Sequence, residues 1–310
     1  MFFGLPTTRG AGLKRKRVIR NIVFGVILLA LISVLPVLYF RLSSSQRGER
    51  RQVRELFESG AFDEAYKMSA EMMKEKPLDS FLLTIHGFSA YQLAIAQTNN
   101  FDTLSYVDSC IWSLRKAMLF RENLSDGRIF YVLGKAYYYK GSGYADLAVS
   151  YLEKARASQY RAADIPEYLG LSYAAVRDYR KSVEAFSLAL TNDTEPSDLL
   201  LLSIARSYLA LEEVEPAKAY LIHCLERTRD SKTSAAARLI LGNALVKAGD
   251  ITGAEKEYLA VIGETGDNAE AHYLLGELYA LGGDTTRARA EWRRAIRIDP
   301  AHVPARSRLN

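Results

Sequence analysis

The chain has 310 residues, enough for about two ordinary domains or one long repeat array. Its 49% hydrophobic and 25% charged content is normal for a folded protein. The pI near 9.0 belongs to the N-terminus: residues 1–54 hold eleven Lys/Arg against Glu49, and the remainder holds thirty bases against thirty-five acids, so the body lacks the basic face that nucleic-acid binding needs.

Residues 1–21 form a basic segment, and the run from Ile22 to Phe40, IVFGVILLALISVLPVLYF, carries no charge. At about 1.5 Å per residue it spans roughly 28 Å, close to a bilayer's hydrocarbon core. Lys14, Arg15, Lys16, Arg17 and Arg20 precede it, Arg41 follows it, and Tyr39 and Phe40 sit at one edge, where interfacial aromatics belong. Pro36 is tolerable in such a helix. The run exceeds the usual h-region of a signal peptide, and Ser43-Ser44-Ser45 is a poor substitute for a small-residue cleavage site, which favours a transmembrane anchor over a cleaved leader. Six bases lie before the run and five after it by Arg54. By a narrow margin this places the N-terminus in the cytoplasm and the body in a periplasm or equivalent space.

After a short linker, 41–45, a pattern of small and large residues recurs to residue 302. It is partial in 46–79 (Leu56, Gly60, Ala65, Pro77) and in 80–126 (Gly87, Cys110, Leu114, Ala117), where TNNFDTLSY inserts. In 127–162 it reads Leu133-Gly134, Tyr137, Ala148, Leu152 and Ala155, with two extra residues in the GSGY turn. In 163–197 it reads Leu169-Gly170, Tyr173, Ser182, Phe186 and Ala189, and in 198–234 Ala205, Tyr208, Ala217, Leu221 and Cys224. Between 235–268 and 269–302 the period is 34 residues: Gly242 recurs as Gly276, Gly249 as Gly283, Ala254 as Ala288 and Tyr258 as Trp292. Each unit reads as two amphipathic helices around a tight turn, and Pro77 and Pro300 end the second helix of theirs. With Leu275-Gly276, Tyr279, Ala288, Trp292, Ala295 and Pro300, the last unit closely resembles the tetratricopeptide repeat (TPR), and the resemblance extends over about 46–302 as seven units, two of them irregular.

The resemblance implies an all-α fold, a right-handed solenoid of helix pairs in which each unit touches only its neighbours. Cys110 and Cys224 then sit in small-residue positions of units two and five, too far apart to bridge. Tyr137 takes a packing position. The same stretch of first helices lines the concave surface in this family, which places Phe88, Tyr91, Arg128, Tyr131, Lys135, Tyr138, Tyr139 and Arg206 in an aromatic groove with basic residues, suited to a peptide or helix of a partner protein. The alternative is that the tyrosines pad the packing between first helices. The family's clamp for an EEVD carboxylate is not matched, since Asn243 has the apolar neighbours Leu202 and Leu239 in the corresponding positions. The last unit leaves no room for a further capping helix, so Arg287, Arg289, Arg293, Arg294 and Arg297 supply its polar face, with Arg289, Arg293 and Arg297 a candidate docking face for an acidic partner.

No HExxH, GxSxG, Walker loop or CxxC occurs, and His86, His223, His272 and His302 do not share metal-ligand spacing. The acids sit at solvated helix positions. The chain thus reads as no enzyme, with no cofactor or metal. Asn123-Leu124-Ser125 and Asn192-Asp193-Thr194 are glycosylation sequons that matter only in a eukaryotic secretory setting. By family analogy the expected role is a membrane-anchored protein-binding scaffold in an envelope complex such as secretion, cytochrome-maturation or motility machinery. The rivals are a cytosol-facing organelle receptor of the import-receptor type and a regulator of an envelope-biogenesis enzyme.

Overall fold

The computed structural model describes residues 47–120, 126–191 and 195–309. The apolar run 22–40, its basic flank, the linker 41–45 and both sequons lie outside the described residues. No helix among the described residues is long and apolar enough to cross a membrane.

The described chain is helical throughout, in successive hairpins: α1 (47–58) with α2 (Phe62–Glu75), α3 (Ser80–Ala96) with α4 (Asn100–Leu119), α5 (Gly127–Lys140) with α6 (Ala145–Ala157), α7 (Ile165–Ala175) with α8 (Tyr179–Ala189), α9 (Asp198–Ala210) with α10 (Val214–Arg227), α11 (Ser231–Lys247) with α12 (Ile251–Thr265), and α13 (Ala269–Leu281) with α14 (Thr285–Ile298), followed by α15 (Val303–Leu309). Each pair packs against the next, giving an all-helical solenoid. First helices also touch across the array, α3 with α5, α5 with α7, α7 with α9 and α9 with α11, whereas second helices show no comparable contact with one another. Helices on the inside of a curve crowd together and those on the outside spread, so the first helices line the concave face.

The hairpins close because a small residue on the first helix receives a large side chain from the second. A Cβ added to Gly276 would lie 2.5 Å from Trp292 Nε1, and one added to Gly242 would lie 2.3 Å from the Tyr258 ring. In the fifth pair the small residue is Ala205 and the buried side chain near it in the array is the smaller Leu221. The turns need a left-handed residue, at Gly60, Gly249 and Gly283 with φ near 80° and at Arg177 and Glu212 with φ 63°. Asp178, Asp250 and Asp284 follow three of these and cap the second helices by accepting from Lys181 N, Gly253 N and Arg287 N.

The TNNFDTLSY insertion lengthens the second unit through α4: Asn99 accepts from Asp102 N, and the helix runs to 20 residues. Two local expectations change. The fifth unit does not end at 234, because Asp230 caps α11 by accepting from Thr233 N and starts it at Ser231. The array does have a capping helix. Seven residues make two turns of α15, whose buried Ala305 joins Ala288, Trp292 and Ala295. His302 starts it by accepting from Ala305 N and pairs with Glu270 at 3.0 Å, while Arg308 pairs with Glu277. Arg289, Arg293 and Arg297 are therefore an exposed stripe along α14 rather than the end of the array.

Two histidines knit hairpins together. His272 Nδ1 lies 2.6 Å from Glu291 Oε2, both residues buried, so Glu291 is an acid off the solvated surface; its other oxygen accepts from Arg294. Buried His86 stacks on Tyr66 with ring centroids 4.1 Å apart. Its Nδ1 lies 3.2 Å from the Tyr66 carbonyl, which only accepts, so Nδ1 carries the proton and Nε2 accepts from Ser109 at 3.2 Å. Burial holds this imidazole below its usual range, with the Tyr66 carbonyl opposing. Cys110 and Cys224 are buried free thiols.

Two outcomes follow from this packing. Gly276→Ala forces the Trp292 ring aside and destabilises the C-terminal hairpin by about 1–3 kcal/mol in urea unfolding; adding Trp292→Leu, which reproduces the Ala205 and Leu221 combination, recovers part of that loss. A Gly276→Ala protein as stable as the parent contradicts the close-approach account. For His86, the folded state disfavours the proton that the unfolded chain takes up near pH 6.5, so its contribution is complete above that pH and falls away as pH drops toward the lower folded pKa. Protection factors of the α2–α4 amides, that is, exchange measured against the intrinsic rate at each pH, should fall between pH 7 and 5 in the parent and much less in His86→Gln, which remains neutral.

Candidate functional site

The concave surface at α3, α5 and α7 gathers most of the groove residues anticipated from the sequence. Phe88, Tyr91, Arg128, Tyr131 and Lys135 line one pocket of about 240 Å³ together with Gln92, Ile95, Val132 and Tyr160. Tyr138 and Tyr139 line a neighbouring, mostly apolar pocket of about 410 Å³ with Gly141, Ser142, Ala145 and Ala175. Arg206 stands apart on α9, exposed. Spacing along α5 explains the division: 128, 131, 135, 138 and 139 recur every three or four residues and share one face.

The expected chemistry needs correction at three residues. Phe88 and Tyr91 are buried members of the core at α3–α5, so they form the floor beneath the surface rather than the surface itself. Lys135 is buried too, and is no free cation. Its Nζ donates to Asp164 Oδ2 at 2.6 Å and to Tyr131 Oη at 3.1 Å, while Tyr131 Oη donates to Asp164 at 2.8 Å. Asp164 was absent from the sequence reading; it lies on α7's N-terminal cap, 29 residues from Lys135. Tyr137 is core, as its repeat position indicated, stacked on Tyr151 at 5.5 Å.

Tyr138 and Tyr139 are half-buried and do part of the padding between first helices. Tyr139 and Tyr168 share a hydrogen bond of 2.8 Å between their hydroxyls. Tyr138 and Tyr168 meet edge to face, 5.1 Å between centroids with planes at 86°. Lys135 Nζ lies 4.2 Å from the Tyr168 centroid, so the cation is held by a carboxylate and by ring faces at once. Burial pushes the phenols of Tyr91, Tyr131 and Tyr168 up, and hydrogen bonding to Asp164 adds to this for Tyr131. All three remain neutral donors at any physiological pH.

A few charges on this surface have no partner among the described residues. Arg128 is exposed, its guanidinium 4.6 Å from the Phe88 centroid and 5.5 Å from that of Phe57. Neither it nor Arg206 is ion-paired to a described residue. Glu167, half-buried on α7, likewise has no hydrogen-bond or ion-pair partner among the described residues. Burial raises its pKa, Asp164 raises it further, and Lys135 opposes. Further along, the acids Glu270 and Glu277 are taken up by α15, and Asn243 accepts from Tyr258 Oη at 2.7 Å. A second mostly apolar pocket of about 430 Å³ opens between α9 and α11, lined by Leu209, Ile240, Asn243, Ala244, Val246 and Lys247. Among the described residues no three metal-ligating side chains gather.

The Lys135–Asp164 pair makes a definite prediction. Asp164→Ala strands a buried ammonium; a broken buried pair costs about 3–5 kcal/mol, and the partial exposure of Asp164 reduces this to about 2–3 kcal/mol. Lys135→Met combined with Asp164→Leu should lie within about 1 kcal/mol of the parent. Urea unfolding of the two variants checks this, and a single variant no less stable than the double one contradicts a structural role for the pair.

Comparison with known proteins matches the same architecture. A tetratricopeptide-repeat family model matches residues 202–267 and 239–303. No curated protein matches the chain. Among solved structures, the C-terminal part of a TPR repeat-containing protein from Cytophaga hutchinsonii is similar, at 16% identity and TM-score 0.59, over 84% of this chain and 99% of that one. PilW, described as a widely conserved type IV pilus biogenesis factor, is 16% identical with TM-score 0.57, over 72% of this chain and 98% of its own. PilF of Pseudomonas aeruginosa is 18% identical with TM-score 0.52, over 71% and 95%. The chain carries tetratricopeptide repeats over 202–303, within an all-helical solenoid of TPR type.

Proposed function

We propose that this protein is a membrane-anchored scaffold that captures a segment of another protein along its concave face, in the assembly or stabilisation of an envelope complex. The observation that carries the reading is the concave face itself: half-buried tyrosines, the apolar pocket between α9 and α11, and the lone charges Arg128, Glu167 and Arg206 on first helices that crowd together. Such a surface offers aromatic area at low entropic cost with a few charges to fix register. The seven units assigned to 46–302 and the anchor at 22–40 belong to this proposal, as does a body on the far side of the membrane from a cytoplasmic N-terminus. Anchoring confines the groove to a membrane surface and raises its effective concentration toward membrane-bound partners. PilW, described as a type IV pilus biogenesis factor, is an instance of a similarly folded array in an assembly process.

Alkaline extraction and protease protection test the arrangement. The full chain should stay in the membrane pellet after carbonate washing, a chain beginning at residue 46 should be released as a helical soluble protein, and the body should resist protease in intact cells. Release of the full chain contradicts the anchor, and digestion of the body in intact cells favours the cytosol-facing receptor instead.

A further inference from the structure

We propose that the outer face of α4 lies on the surface of the lipid bilayer beside the anchor. The inference takes its occupant from the anchor reading of residues 22–40 and adds a contact that the groove does not use.

Three observations converge. First, α4 carries an apolar stripe that no described residue covers. Phe101 is 82% exposed, Leu119 78%, Trp112 55% and Leu104 42%, and Phe120, just past the helix end, is 47% exposed. Positions 101, 104, 108, 112, 115 and 119 stand three or four residues apart, so they share one face along the helix. No other helix among the described residues leaves as many large apolar side chains exposed.

Second, the polar groups on that face suit anionic headgroups. Arg115 is exposed, and neither it nor Lys116 is ion-paired to a described residue. Lys116 Nζ lies 4.5 Å from the Trp112 ring centroid. The two acids of α4 are already answered: Asp108 accepts from Lys140 at 2.5 Å, and Asp102 accepts from the Asn99 side chain at 2.7 Å. Trp, Phe and Leu on one face with unpaired bases beside them is the composition of a helix that lies in a membrane interface. There the bases reach phosphate while their stems and the rings stay in the apolar boundary.

Third, the length of the connecting chain puts the bilayer within reach. Six residues, 41–46, separate the apolar run from α1, so Arg47 is at most roughly 25 Å of extended chain from Phe40. The start of α1 lies at the same end of the array as the last turn of α4. Arg50 pairs with Asp79, which caps α3, and Arg54 lies over the Phe81 ring. Gly87 lies against Leu114 and Cys110, which sets the start of α3 level with the end of α4 in this antiparallel pair. Arg47 and Arg54, ion-paired to no described residue, add basic charge at that end against Glu49. An anchor this close holds the first two hairpins near the bilayer, and the α4 stripe is a face of theirs whose burial in lipid is favourable.

The test uses the two tryptophans of the chain, Trp112 on the stripe and Trp292 buried in the last hairpin. The full chain is reconstituted into vesicles of phosphatidylcholine and phosphatidylglycerol whose acyl chains are brominated near the headgroup. It should lose the Trp112 part of its fluorescence relative to unbrominated vesicles, and Trp112→Phe should show no quenching, because only Trp292 then emits. Phe101→Asp combined with Leu119→Asp, both at exposed positions, should abolish the quenching at an unchanged melting temperature. Unquenched Trp112 in a chain that carbonate leaves in the vesicles overturns the α4 contact while the anchor stands. Blue-shifted Trp112 emission without quenching also overturns it, and gives the stripe to a protein face instead. Quenching that survives the double aspartate variant removes the stripe as the contact. Quenching in a chain that carbonate releases overturns the anchor and leaves the α4 contact standing.

Discussion

Everything in this solenoid depends on how closely the two helices of a hairpin approach. At Gly276 and Gly242 there is no space for even one methyl group between the first helix and the large ring of the second. That distance sets the tilt of each pair, and the tilt sets which surface of the pair meets its neighbour. First helices then crowd on one side of the array and second helices spread on the other. A small residue at the close approach, glycine in five of the hairpins and Ala205 in the fifth, therefore shapes the concave surface, and the surface is inherited by whatever residues occupy the exposed positions of α3, α5, α7, α9 and α11.

Those residues divide along the groove. At α5 and α7 the surface is aromatic and polar, organised around a buried lysine that a carboxylate and several tyrosines hold in place. From α9 to α11 it turns aliphatic. At α13 the exposed acids are consumed by the terminal helix. Interior neutralisation removes most of the charge that a list of residues suggests, and few charged groups of the groove are left without a partner among the described residues. Arg128 rests on phenylalanine faces, Glu167 has no counter-ion, and Arg206 projects from α9. In the proposed scaffold these isolated charges would set specificity, while the rings and aliphatic positions supply area.

The architecture was legible because it is periodic. Gly242 to Gly276, Tyr258 to Trp292 and the Gly-Asp turns repeat at a fixed interval, and only a stacked helical hairpin satisfies them all. Tyr137 could be placed in the core by the same register. What periodicity does not carry is pairing across units. Lys135 reads as a free groove cation because its partner Asp164 belongs to the next unit, at the first-helix N-cap, where Asp79, Asp126, Ser197, Asp230 and Asn268 stand in other units as ordinary caps. Phe88 and Tyr91 share the concave register, yet the lengthened α4 and the Leu133 region bury them. The capping helix lies beyond the repeat period, so the register does not announce it; His302 and Arg308 pin it to α13 from both ends.

The central claim is that the partner is held by first helices, inside the curve. Site-specific photocrosslinking in native membranes addresses it directly, with a photoreactive amino acid in place of Leu209, which faces the groove from α9, or of Leu259, exposed on the second helix α12. Both positions lie in the aliphatic half of the array, and neither substitution disturbs a close helix approach. The account predicts a discrete crosslinked partner from Leu209 and none from Leu259. The same partner captured at Leu259 and absent at Leu209 would contradict it, because the convex face would then be the one that binds.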